Sequence, residues 1–568
     1  MPTPAQRVAG VLAPLFAIRG SEDLGIGDIR ALREFADWAA GHGLKLVQIL
    51  PVNEAGSDNS PYNIISSVAL DPITISTLPE ELPDLRKDDF KRITRAFDLK
   101  ALRSGPVKYQ EVRALKMQLL TAAYEHFCAS ASDERLNELE EFSSRHAVWL
   151  ENYVLYRALM SLNGESEVFT GWLPEQQTLA GATQWRDSLE GDDRAQLEAL
   201  CEFHRYVQWI AFSQWRAVRE YCDSIGVTLM GDVPVGVSIY SCDVWSEPEI
   251  FDLSRSSGAP PEKVFKADRF TEQWGQNWGF PLYDWFAMSK DNFAWWRRRL
   301  RIMKTLFDLI RVDHALGFFR IYSFPWRPEQ NAQFVDLTEE QARAITGGPL
   351  PGFVPNDDST PENEEKNRRH GEVLFRIMLE ETGPHCLIAE DLGTVPPYVR
   401  PTLERLEIPG FKIPQWEREP DGSCTPGEKY PRLSLATYAT HDHPPVKTFW
   451  NAWTRDAASD DPEAAALALR EMRALLKFAG APDLEPGPFD ERIYEVTMRG
   501  LMATNSWLAV PMITDILGTE DRFNSPGAIS DQNWTARLEV KIGHLNKVFA
   551  RELRVLRQIL AQTGRISV

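Results

Sequence analysis

Short, nearly continuous apolar runs recur along the chain, separated by stretches with helical spacing. They read VLAPLF near residue 12, LKLVQILPV from Leu44, VTLMGDVPV from Val227 and LFDLIRVDH from Leu306. Four more follow: HCLIAEDLG from His385, FKIPQW from Phe411, RLSLATYATHD from Arg432 and SWLAVPMITDIL from Ser506. Runs without clean alternation suit a parallel sheet covered on both faces, because neither side of such a strand meets water. IRALREFADWAAGHG and NFAWWRRRLRIMKTL, apolar at helical spacing, fill two of the gaps and predict βα units. The pattern predicts an α/β fold, a (β/α)8 TIM barrel with large, mostly helical insertions.

Two gaps are too long for simple βα connections. Residues 80–205 contain KYQEVRALKMQLLTAAYEHF and LENYVLYRALMSL, and predict a helical insertion. Residues 320–375 are rich in Pro, Gly and charge before a helix at their end, and predict a loop and helix insertion. No repeat, low-complexity tract or flexible linker divides the chain, so residues 1–568 are expected to form one catalytic barrel domain.

Composition narrows the partners. The formal charge of −20 disfavours nucleic acid and anionic membranes, both of which need clustered Lys and Arg. A neutral ligand is unaffected, and 18 Trp and 14 Tyr offer flat apolar faces, although most aromatic residues serve the core. The six cysteines form no C-x-x-C pair, which suggests neither a zinc ribbon nor a disulfide scaffold and fits a reducing compartment. VAGVLAPLFAI after Arg7 is broken by Pro14 and reads as a first strand, not a signal peptide. No run approaches the ~18 apolar residues of a membrane span, and a cytoplasmic location is expected.

Four of the apolar runs end in carboxylates: Asp232, Asp313, Glu390 and Asp442. In a barrel all strands point one way, so their C-terminal ends converge on the face that carries the site. A single strand-end Asp reads more simply as a helix N-cap or a structural ion pair. Four together are harder to explain that way, since clustered like charges are costly to bury. Arg311 and Asp313 lie two apart and face the same side of a strand, where the fixed charge favours an ionised nucleophile. Glu390 follows Cys-Leu-Ile-Ala, a setting of low polarity that suits a proton donor. Such a division of labour is that of retaining glycoside chemistry, with carboxyls roughly 5–5.5 Å apart.

The same residues admit a metal reading, in which His441 and His443 bind a divalent ion and Asp313 with His314 complete the site. Pro444 and Pro445 follow at once, and no further His stands at another strand tip. A barrel that binds glucan without turnover is a third reading, against which stand the paired donor and nucleophile.

In their order, GSEDLGIGDI, LVQILPVNEAGSDNSPY, LMGDVPV, GQNWGFPLYDW, RVDHALGFFRIY, AEDLG, THD and DILGTEDRFNSPG with Asn533-Trp534 span most of the chain. In this the sequence resembles the 4-α-glucanotransferases of glycoside hydrolase family 77, the amylomaltases or disproportionating enzymes. GQNWGFPLYDWFAMSKDNFAWWRRRL is most similar to the plant cytosolic branch, without its starch-binding modules. The resemblance implies Asp313 as nucleophile, Glu390 as general acid/base and Asp442 as transition-state stabiliser, with Arg311 and His441 beside them. It implies Tyr62 as the aromatic platform and Asp232, Trp278 and Asn524 as further sugar-binding positions, and His314 of RVDH is counted with them. No metal and no cofactor is implied, and the partners are malto-oligosaccharides and α-glucans, with hydrolysis of the same substrates as the neighbouring activity. Three departures stand out: THDHPP for THDNDT, a longer lid segment in APPEKVFKADRFTEQW, and MITD for PLQD.

Overall fold

The computed structural model describes residues 3–261, 268–526 and 532–566. Its strands in chain order are β1 (Val8–Leu12), β2 (Leu46–Gln48), β3 (Thr228–Val233), β4 (Phe251–Ala259), β5 (Gln276–Tyr283) and β6 (Leu309–Val312). They continue as β7 (Ile321–Phe324), β8 (Gly352–Val354), β9 (Leu387–Ala389), β10 (Gly410–Lys412), β11 (Ser434–Ala436) and β12 (Leu508–Ala509). Eight of them close a parallel barrel in the order β1-β12-β11-β10-β9-β6-β3-β2. These eight coincide with the eight apolar runs, and the residues of β1, β2, β3, β6, β9, β11 and β12 are all buried. Strands enclosed by side chains within and helices without leave little room for polar residues, and apart from Thr228 and Ser434 at the starts of β3 and β11 their polar residues stand toward the C-terminal ends.

The surrounding helices follow from amphipathic spacing. Ile29–Gly41 buries Ile29, Leu32, Phe35, Ala36 and Ala39, an i, i+3, i+4 stripe, against the barrel. Asp28 caps this helix by accepting from the Ala31 N–H at 3.2 Å. The same carboxylate pairs at 3.2 Å with buried Lys116, which also donates to the carbonyls of Ile73 and Ile75 at 2.8 and 2.7 Å. Lys116 lies in Tyr109–Ser130, so this paired charge ties that helix to the barrel wall.

Residues 80–205 carry Tyr109–Ser130, Asp133–Leu162 and the first part of Gly191–Ser224, the helix that leads into β3. Phe142 and Trp149 of the second pack on Phe212 of the third, with ring centroids 5.5 and 5.7 Å apart. Gln208 and Gln214 of Gly191–Ser224 point the other way. Each exchanges two backbone hydrogen bonds with the segment after β2, at Leu70 and Ser76 respectively. Side-chain amides thus serve backbone that no strand pairs.

Residues 320–375 contain β7, β8, Glu339–Thr346 and most of Pro361–Thr382. With β4 and β5 the two strands form an antiparallel sheet in the order β5-β4-β7-β8, above the barrel mouth. One face of that sheet packs Phe324 with Phe270, Trp274, Trp326 and Phe334. Of the segment APPEKVFKADRFTEQW, residues 262–267 lie outside the described residues, and its end forms the helix Arg269–Trp274. Among the described residues no helix is long and apolar enough to cross a membrane.

Gly231 in β3 has a steric reason. A Cβ there would meet the Phe307 ring at 2.4 Å, and Phe307 is itself packed edge-on against Trp215. Gly231→Val is expected to cost roughly 1–3 kcal/mol through overpacking. A lowered midpoint in chemical denaturation checks this; an unchanged midpoint refutes the packing account.

Candidate active site

Strand register builds the site in two layers. Asp232 of β3 lies opposite Arg311 of β6, and Arg311 lies opposite Ile388 of β9. Because side chains alternate along a strand, Asp313 projects on the side of Arg311, and Glu390 on the side of Ile388. The ladder continues past the strand ends: the Glu390 N–H donates to the Val312 carbonyl at 3.0 Å, and Ala315 N–H to the Glu390 carbonyl at 2.9 Å. At His314 the chain turns through a left-handed conformation, φ 42°, which aims its N–H at the Glu390 carboxylate, 2.8 Å away. A non-glycine residue in that region stores strain of order 1–3 kcal/mol, often found at working sites.

One guanidinium joins these carboxylates. Arg311, 2% exposed, donates from Nη1 to both oxygens of Asp232 at 2.9 and 2.7 Å and to Asp313 Oδ1 at 2.9 Å. Its Nη2 stands 3.9 Å from Glu390 Oε2. Burial pushes the Glu390 carboxyl up and the charges of Asp313 and Asp391 add to this. Arg311 and the His314 N–H oppose, and the net position is well above the usual glutamate value. Asp391 itself turns away from the mouth, where it accepts from the Phe411 N–H at 2.6 Å and pairs with Arg400 at 3.0 Å. The alternation of the backbone therefore separates the two acids of AEDLG.

Asp442 has the opposite setting. Burial raises its carboxyl, but the His441 ring at 3.2 Å and the Asn524 amide at 2.6 Å outweigh it and hold Asp442 below the carboxylate range. Tyr62 stacks on His441 with centroids 4.9 Å apart and planes 17° apart, and its hydroxyl donates to Asp232 at 2.7 Å. Trp278 meets His314 edge-on at 5.0 Å. Burial lowers His314 and His443 to about 4, so both rings are neutral near pH 7. Tyr62, Trp278, Arg311, Asp313, His314, Glu390, His441, Asp442 and Asn524 all line one cleft of about 400 Å³, and Asp232 lies directly beneath it.

Three participants escaped the sequence reading. Trp534 lines the cleft beside Tyr62 at 5.9 Å, Phe280 forms part of its wall, and Arg522 donates to the Asp442 carbonyl at 2.7 Å. Trp534 and Arg522 stand inside motifs noted above, but only their placement beside Tyr62 and at the Asp442 carbonyl reveals their use. His443, which the metal reading joined to His441, is held by Thr440 Oγ1 at 2.8 Å and faces Trp416. Among the described residues no three His, Cys, Asp or Glu side chains are grouped to hold a metal ion.

Carboxylates converging at the C-terminal ends of parallel barrel strands, with aromatic faces supplied by the connecting segments, are an arrangement suited to a carbohydrate-processing barrel enzyme. The 4-alpha-glucanotransferase model of glycoside hydrolase family 77 matches residues 13–542, and the chain belongs to this family. It is 30% identical to a 4-alpha-glucanotransferase of Chlamydia pneumoniae over 94% of this chain and 92% of that one. It is 28% identical to that of Thermus thermophilus, over 94% and 95%. The match to rice 4-alpha-glucanotransferase DPE2, 33% identical, covers 56% of this chain and 32% of the plant protein. The fold also matches an amylomaltase from Streptococcus agalactiae, solved in complex with acarbose, with a TM-score of 0.76 and 23% identity over 99% and 100% of the chains. Enzymes of this family move α-glucan segments between acceptors, and this chain is an enzyme of that class.

Arg311→Lys preserves one charge but cannot serve three carboxylates from a planar fork. It is expected to lower kcat/KM about 10²-fold, as misplacement near 1 Å does. Steady-state kinetics on maltotriose check this, and near-normal kcat/KM would show that the fork is dispensable.

Proposed function

We propose that the site transfers α-1,4-glucan segments between malto-oligosaccharides by a double displacement. An Asp313 carboxylate oxygen attacks the anomeric carbon while the glycosidic bond breaks and the Glu390 proton passes to the departing oxygen. The C4 hydroxyl of an incoming glucan then attacks the same carbon and surrenders its proton to Glu390. The bond to Asp313 breaks, and configuration is retained. Asp442 lies where it supports positive charge developing on the sugar ring, and Asn524 and His441 hold it there. Tyr62 and Trp278 offer faces to the sugar, while Asp232 anchors both Tyr62 and Arg311.

The observation that carries this reading is the shared guanidinium. Asp313 and Glu390 flank Arg311, with Asp313 at hydrogen-bonding distance and Glu390 at 3.9 Å with a raised proton affinity. A binder without turnover has no use for that inequality. We place the reaction in the cytoplasm, where the six unpaired cysteines stay reduced.

Maltotriose separates transfer from hydrolysis. Products extending above the trimer are expected, and a mixture of shorter sugars alone would make the enzyme a hydrolase. Glu390→Gln is expected to lower turnover by about 10²–10⁴-fold while glucan binding persists; retained turnover would remove Glu390 from this role. Glu390 must begin protonated, so activity is lost as pH rises through its raised pKa. The alkaline limb of kcat/KM is therefore expected well above the ordinary value of 4.5. A limb near that value would overturn the assignment.

A further inference from the structure

A second cavity, of about 530 Å³, opens between the antiparallel sheet and the barrel mouth. Small-molecule sites occupy roughly 300–1,000 Å³. Its walls combine the rings of Tyr283, Trp285 and Phe318 with the polar side chains of Asp252, Arg255, Ser257 and His370. Val235 lines both this cavity and the catalytic cleft. The adjoining Gly236 packs so closely on Phe280 that a Cβ would stand 2.8 Å from the ring, and Phe280 faces the cleft. One thickness of chain separates the two spaces, fixed by the Tyr283 hydroxyl, which donates to the Val235 carbonyl at 2.9 Å.

The sheet places the polar groups here by alternation. Arg255 and Ser257 share one face of β4, and Ser257 lies opposite Ser323 of β7. The intervening Ser256 points to the other face, where it donates to Asn277 at 2.5 Å. Arg255 spends Nε and Nη2 on the single Ser323 hydroxyl, at 3.0 and 2.7 Å, and pairs with no carboxylate among the described residues. Ser257 is 2% exposed, yet its hydroxyl has no hydrogen-bond partner among the described residues, and neither has His370 Nε2. A buried polar group without a partner is costly unless a ligand or solvent supplies one.

We infer that this cavity is a second α-glucan site, taking a short neutral malto-oligosaccharide beside the catalytic cleft. Apolar sugar faces match the three rings, while hydroxyls, as donors and acceptors at once, match a mixed set of Arg, Ser, His and carboxylate partners. Asp252 and Asp284 at the wall offset the charge of Arg255 and disfavour an anion. Such a site retains a second glucan chain next to the covalent intermediate and raises its effective concentration over water. The identity of the ligand rests on the glucan-transfer reading.

The test is calorimetric titration of maltotetraose into Glu390→Gln protein, where turnover is suppressed. Two equivalents are expected. Adding Arg255→Ala, at the half-buried rim, is expected to weaken one equivalent about tenfold or more and leave the other within about twofold. Ser257→Val, which fills the buried end, is expected to do the same, with unchanged thermal unfolding of each variant as the control. One equivalent in the Glu390→Gln protein overturns the second site, and so do two undiminished equivalents after Arg255→Ala. Loss of both equivalents in a folded Arg255→Ala variant also overturns it, since the cavity is then part of the cleft. No binding at all refutes the glucan reading itself, a result distinct from the others.

Discussion

The buried charge of Arg311 is the constraint on which the mouth of the barrel depends. A guanidinium almost without solvent contact is tolerable only when anions surround it, and anions packed this closely are tolerable only around a cation. Asp232, Asp313 and Glu390 meet that mutual need from three adjacent strands. The balance is uneven, and the unevenness is useful. Asp232 takes two hydrogen bonds from the guanidinium and Asp313 one, while Glu390, at 3.9 Å, receives least compensation for its burial. Burial raises the proton affinity of both Asp232 and Glu390, and it rises furthest at Glu390, the group with least charge compensation.

Around this ionic centre the connections between strands supply the surfaces. The segment after β2 brings Tyr62 across to Asp232 and His441, β5 brings Trp278 to His314, Asn524 reaches Asp442, and Trp534 packs beside Tyr62 and His441. Rigid strand tips thus hold the reacting groups, and longer segments, tied down by buried polar contacts, form the walls. Gln208 and Gln214 illustrate how a helix distant in sequence steadies the backbone from Leu70 to Ser76. The insertions do structural work for the mouth even where they add no residue to it.

The antiparallel sheet serves two compartments because its faces differ. Phe324, Phe270 and Trp326 seal one face against its own helix, whereas Arg255, Ser257 and Ser323 leave the other polar and open to a cavity. A wall one residue thick at Val235 and Gly236 then sets that cavity beside the chemistry. Acceptor choice in a transferase depends on what lies next to the intermediate, so this neighbourhood bears on transfer against hydrolysis.

The sequence alone determined the eight barrel strands and the acids at their tips. A strand dry on both faces must be apolar throughout, and a charge that ends such a run can only stand at an open end. It could not reveal the second sheet, because FDLSRSSGA becomes β4 only through pairing with β5 and β7. Nor could it reveal Trp534 beside Tyr62, Arg522 at the Asp442 carbonyl, or the contacts of His441 and Asn524 that lower the proton affinity of Asp442. Those follow from distances between residues far apart in the chain, and local pattern carries no information about them. Periodicity decides which way a side chain points; only closure of the barrel decides which other charge it meets.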